Sequence, residues 1–157
     1  MFDFIKIREV PKTSWSSEET FNLKPRLKTL MALVVGLILF GLGEALLVTS
    51  QIGVSPWTAL GQGLANVSEL SLGLTTFLIS VFVLFLWIPL KQKPGIGTVL
   101  NAMIISLVLH YAIPFLPVFE ENFLRLIQAI LGVFITGIGG GIYLIANLGP
   151  GARDGLM

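Results

Sequence analysis

Four stretches of this chain, each about twenty residues long and almost free of charge, decide what it can fold into. They cover about residues 30–49, 72–90, 96–116 and 126–147, and the only acidic residue inside them is Glu44. A helix needs about 20 apolar residues to cross a bilayer. In hydrocarbon every backbone N–H and C=O must be paired, which leaves helices or closed barrels. Residues 77–87 are apolar on consecutive positions and lack the alternation of a barrel strand. Charged residues are 12% of the chain, against about 25% in soluble domains. The expected fold is an all-α polytopic transmembrane helix bundle of about four spans.

Basic residues set the orientation. Lys6, Arg8, Lys12, Lys24, Arg26 and Lys28 precede the first stretch, Lys91 and Lys93 follow the second, Arg125 opens the fourth and Arg153 follows it. With the N-terminus in the cytoplasm, all but Arg125 fall on the cytoplasmic side, as the positive-inside rule requires. Residues 1–28 are expected to be a poorly ordered cytoplasmic extension and 29–157 the transmembrane domain. The alternative for the start is a surface-lying amphipathic segment, Phe2, Phe4, Ile5 and Ile7 beside Lys6 and Arg8. No secretory signal pattern is present. Trp87, near the cytoplasmic end of the second span, fits an interfacial anchor.

Residues 51–71 are too long for a tight hairpin and too apolar for a free loop. Ser55 followed by Pro56 is a helix start, an N-cap acceptor and then proline at the first helical position. A short interfacial or re-entrant helix is expected over about 56–65.

A register of 96 residues relates two parts of the chain. Gly36 falls on Gly132, Gly41 on Gly137, Gly43 on Gly139, Gly53 on Gly149 and Leu60 on Leu156; Ala45 falls on Gly141 and Gln51 on Asn147. Charge placement makes the first span leave the cell and the fourth enter it. The two copies then have opposite orientation, an inverted-topology repeat of the kind found in secondary transporters. The chain holds the first half and the start of the second. The expectation is a C-terminally truncated six-span protein, with a homodimer supplying the missing half as the weaker alternative.

Gly53-Val54-Ser55-Pro56-Trp57, Trp87-Ile88-Pro89-Leu90, residues 95–102 (Gly-Ile-Gly-Thr-Val-Leu-Asn-Ala) and residues 148–157 (Leu-Gly-Pro-Gly-Ala-Arg-Asp-Gly-Leu-Met) together resemble the YczE-type bacterial membrane proteins, grouped with the YyaS and YitT types. The resemblance covers about residues 30–157. It implies a multi-pass protein of the bacterial inner membrane whose biochemical activity is uncharacterised. Such proteins usually continue well past the position of Met157.

Glu44 stands out chemically, because a carboxylate inside a span costs roughly 2.5–3.5 kcal/mol on insertion scales. It has either a proton- or cation-linked role or a structural hydrogen bond. The junctions at Ser55 and at 149–154 both break a helix with glycine and proline. They are either ordinary turns or sites where short helix N-termini face an anion. In the second case Arg153 binds an anionic substrate or pairs with Asp154 or Glu44. Asn101, Ser106 and His110 are polar groups in an apolar span, suited to interhelical hydrogen bonds or, for His110, a proton relay. Gly41 with Ala45 and Gly137 with Gly141, each four apart, are small-residue pairs that let helices approach. They are expected to mark the crossing of spans one and four.

Nothing in the sequence suggests an enzyme. No cysteine is present and His110 is the only histidine, so no metal or thiol site is expected. No cofactor motif appears: residues 137–141 are glycine-rich but lie inside a span. No nucleic-acid surface is expected. The partner is the lipid bilayer. Two functions stay open: a permease or transporter-like protein with a site at the repeat interface, or a non-transporting assembly factor or scaffold.

Overall fold

The computed structural model describes residues 13–154. Helices run in the order α1 (Leu27–Ser50), α2 (Pro56–Ser68), α3 (Leu72–Trp87), α4 (Ile96–Ala112, extended by a 3-10 turn Ile113–Phe115) and α5 (Asn122–Ala146). Among the described residues there is no strand. The fold is the expected all-helical one. Leu27–Ser50, Ile96–Phe115 and Asn122–Ala146 are each long and apolar enough to cross a membrane, and α2 with α3 makes a fourth candidate bent by 113°.

The bend is written in the sequence. Glu69 closes α2 in the left-handed region, at φ 58°. Ser71 then caps α3 by accepting from the Leu74 N–H. α3 stops at Trp87 after 16 residues, with Ile88 still in the right-handed helical region, because Pro89 lacks the N–H that would continue the ladder. At 1.5 Å per residue it reaches about 24 Å, short of a ~30 Å hydrocarbon core. Trp87 is not the expected interfacial anchor. It is 1% exposed and packs with Ile79, Val83 and Ala152, so it seals α3 against the segment that follows α5.

The bundle has the polarity of a protein solvated by lipid. Phe82, Phe85, Phe115 and Phe134 point outward, while Glu44, Thr29, Ser50, Thr75, Thr98 and Gln128 are buried. In water such an apolar exterior would drive aggregation. In hydrocarbon it costs nothing, and polar groups gain by turning inward.

Residues 13–26 do not behave as a loose extension. The Ser17 N–H donates to the Ala146 carbonyl at 3.0 Å. Asn147 accepts from Thr20 Oγ1 and donates through Nδ2 to the Ser17 carbonyl, both at 3.0 Å. The last carbonyls of α5 lack intrahelical partners, and this segment supplies one to Ala146. The amphipathic alternative for the start falls on residues outside those described.

α1 and α5 are antiparallel and form the closest contact in the bundle. A Cβ built on Gly36 would lie 3.0 Å from the Gly139 carbonyl oxygen, and one on Gly139 would lie 2.6 Å from that of Gly36. Gly43 and Gly132 meet in the same way, at 2.8 and 3.0 Å. The crossing therefore uses Gly36, Gly43, Gly132 and Gly139, not the expected pairs. Gly41 packs against Val108 of α4, with a Cβ there 2.8 Å from Val108 Cβ. Ala45 is fully buried in the main core. Gly137 and Gly141 face open space. The reason is rotational: residues seven apart also share a helix face, and that stripe turns inward here.

The two long helices end alike. Gln51 and Asn147, equivalent in the 96-residue register, both take the left-handed region, at φ 56° and 53°. Their N–H groups bond the carbonyls of Val48 and Leu144, which are also equivalent. Arg125 adds two bonds to the end of α1, Nε to the Ser50 carbonyl at 2.8 Å and Nη2 to that of Gln51 at 3.0 Å. A cation at a helix C-terminus is favoured by the dipole. The one basic residue at odds with the charge bias is thus held where a positive charge is stabilising.

Candidate functional site

Between the helices lies a cavity of about 40 Å³ with both polar and apolar walls. It is built from five parts of the chain: Phe40 and Glu44 of α1, the start of α2, Thr76 and Ser80 of α3, Asn101, Ile105, Ser106 and Leu109 of α4, and Tyr143 with residues 151–154 at the end of α5. Its volume suits about three water molecules.

Glu44 is 3% exposed. Its Oε2 accepts from Thr58 Oγ1, and from Ser55 Oγ at 3.1 Å. Ser55 also caps α2, accepting from the Thr58 N–H at 3.3 Å. The chain turns back after α1 and starts α2 at Pro56 so that these two hydroxyls meet the carboxylate one turn-back away. The anion near the N-terminus of α2 is the protein's own Glu44, which gains from the dipole there. Among the described residues no lysine, arginine or histidine forms an ion pair with it.

The second break supplies the opposite wall. Gly149 adopts φ +114°, a region open to glycine. Its neighbour Leu148 accepts from the Gly97 N–H at 2.7 Å, and Pro150 accepts from Thr98 Oγ1 at 2.7 Å, which ties the break to the first turn of α4. Asp154 accepts from Tyr143 Oη, from the Gly151 N–H at 3.2 Å and from Arg153 Nε at 3.2 Å. Of the pairings open to Arg153, the structure has the one with Asp154. Three donors leave that carboxylate compensated.

Glu44, Ser55, Asn101, Arg153 and Asp154 therefore line one cavity. His110 does not join them. It is exposed, with Nδ1 2.8 Å from Ser71 Oγ at the start of α3. Ser106, four residues earlier, does reach the cavity. Sequence reasoning missed Thr58, Thr76, Ser80 and Tyr143. The available signal was the hydroxyl row Thr76 and Ser80, four apart in the second span. Among the described residues, Thr76 Oγ1 and Ser106 Oγ are buried without a hydrogen-bond partner. No group of three or more His, Cys, Asp or Glu side chains that could hold a metal ion occurs among the described residues.

Comparison with known proteins bears on this arrangement. Residues 27–157 match a family of unknown function, DUF6198. An "Uncharacterized protein" of Haemophilus influenzae is 38% identical over 97% of this chain and 69% of its own length. The "Uncharacterized membrane protein YczE" of Bacillus subtilis is 32% identical over 78% of the chain and 58% of its own length. "Uncharacterized protein YyaS" of the same organism is 29% identical over 68% and 52%. The chain thus spans between about half and two thirds of the relatives it matches. No solved structure matches.

Proposed function

This chain belongs to the DUF6198 family of membrane proteins related to YczE, and from that premise we propose that it is a permease-like carrier of the bacterial inner membrane, non-enzymatic, with its site at the cavity around Glu44. The carrying observation is that both helix breaks, one after α1 and one after α5, turn back to line a single cavity that holds Glu44, Arg153 and Asp154 in an apolar bundle. Transporters of inverted-repeat design place their sites at such discontinuous helices.

The contacts between α1 and α5 support the inverted repeat. In a two-fold arrangement, residue i of one element meets j of the other and j meets i. Gly36 meets Gly139 and Gly43 meets Gly132, while the 96-residue register equates Gly36 with Gly132 and Gly43 with Gly139. Whole-protein activity in the longer relatives would draw further segments into the same interface.

The reading is tested by flux. The chain reconstituted in liposomes with an internal pH or cation indicator is expected to dissipate an imposed cation or proton gradient faster than empty vesicles. Rates equal to empty vesicles under every monovalent cation and pH gradient would favour the scaffold reading.

Orientation has its own test, simplified by the absence of cysteine. Asn66 and Gln92 are both exposed, at the end of α2 and after α3. With the N-terminus cytoplasmic, a membrane-impermeant maleimide should label Asn66→Cys in intact spheroplasts and Gln92→Cys only after permeabilisation. Labelling of both from one side would end the alternation of spans.

A further inference from the structure

We infer that the cavity is a binding site for one dehydrated alkali cation, held by Glu44 and by the hydroxyls of Thr76 and Ser106. The inference rests on the carrier reading only for its purpose; binding itself is a property of the cavity.

The charge balance gives the valence. Asp154 is compensated by Arg153, Tyr143 and a backbone N–H. Glu44 has two hydroxyl donors on one oxygen and, among the described residues, no cationic partner. When ionised, Glu44 is therefore the carboxylate of the cavity that lacks a countercharge. A single positive charge neutralises it, whereas a divalent ion would leave an unpaired charge in a low-dielectric interior, a state that costs several kcal/mol per ion.

The donor set gives the class. Hard cations take oxygen ligands, and the polar wall offers Glu44, Ser55, Thr58, Thr76, Ser106 and the Asn101 amide. Thr76 and Ser106 carry the argument furthest. Each is 4% exposed, each lines the cavity, and neither oxygen has a partner. Buried polar groups are nearly always satisfied, and hydroxyls in helices commonly donate back to the preceding turn. Ser80 does so, to the Thr76 carbonyl at 2.8 Å. Thr76 and Ser106 instead leave their oxygens unpaired in the walls of the cavity that also holds Glu44. The volume, about 40 Å³, admits a dehydrated sodium or potassium ion, neither larger than a water molecule, and is too small for an organic cation such as choline.

The test uses the full chain purified in detergent. A ligand that binds only the folded state raises Tm in a saturable way. Unfolding is followed in sodium, potassium and choline chloride at one ionic strength, for the wild type, Thr76→Val and Ser106→Ala. Sodium or potassium is expected to raise Tm above its value in choline, and each variant should need about tenfold more of that cation for half the effect, the loss of one contact to a charge. Both variants delete a hydroxyl that bonds nothing in the protein, so they should fold; the wild-type salt comparison stands if they do not. Equal Tm in the three salts overturns the site. A cation effect undiminished in both variants overturns its ligands. Cation flux without stabilisation by either alkali cation overturns this inference and leaves the carrier standing; such stabilisation without flux does the reverse.

Discussion

Gly139→Ala is expected to cost the fold about 3 kcal/mol or more, while Gly137→Ala, two residues away on the same helix, costs nothing. A Cβ at position 139 would lie 2.4 Å from the Phe40 backbone nitrogen and 2.6 Å from the Gly36 carbonyl oxygen. Those neighbours are main chain of α1, so no rotamer change relieves the clash. α1 and α5 must separate, and the contacts of the Gly36, Gly43, Gly132 and Gly139 faces weaken together. In lipid such packing is the main force joining helices, since tails solvate apolar side chains as well as a neighbour does. At Gly137 a Cβ meets nothing within 4 Å, and alanine gains up to about 1 kcal/mol of helix propensity. Unfolding in detergent, followed by circular dichroism, separates the two. Similar midpoints for both variants would mean that α1 and α5 do not cross through these glycines.

That contrast marks how far the sequence could be read. The spans, the short helix and the cap at Ser55 were legible because each follows from a local rule: hydrophobic length, or an acceptor followed by proline. The membership of the cavity was largely legible too, since Glu44, Ser55, Asn101, Arg153 and Asp154 are polar groups at odds with apolar surroundings. The faces of the helices were not. α1 carries small residues at 36 and 43 and again at 41 and 45, and both stripes recur on α5. Which stripe points inward depends on the rotation of each helix, and rotation is fixed by all its neighbours at once. The spacing of four favoured the stripe that α5 leaves uncovered.

Trp87 and the segment before α1 failed for a related reason. Tryptophan near the end of a span suits an interface, but Ala152 returns after α5 and buries it. Residues 13–26 look solvated by composition, yet the open end of α5 holds them through one backbone bond and two bonds of the Asn147 side chain that no composition records. Thr76 was passed over because a hydroxyl in a span is ordinarily satisfied by its own helix. Only the structure shows that Ser80 follows this rule and Thr76 does not.

Glu44→Gln is expected to leave the fold intact and abolish cation-driven flux. The glutamine amide keeps an acceptor oxygen for Thr58 Oγ1 and Ser55 Oγ, so the bonds that tie α1 to the start of α2 survive. What disappears is the single uncompensated negative charge of the cavity. Losing one partner of a buried charge pair costs about 3–5 kcal/mol, and each 1.4 kcal/mol is tenfold in occupancy. Cation occupancy should therefore fall about a hundredfold or more, and flux in proteoliposomes with it. Thermal unfolding in choline chloride, where no cation competes, should stay close to the wild type, because neutral side chains replace a charge that lipid disfavours. Glu44→Ala gives the converse control. It removes the acceptor that ties Ser55 and Thr58 to α1 and opens a void, so it should lower stability even in choline. A Glu44→Gln protein that carries cations at the wild-type rate would reduce Glu44 to the brace between α1 and α2, and the cavity would lose its charge-based reason to bind a cation.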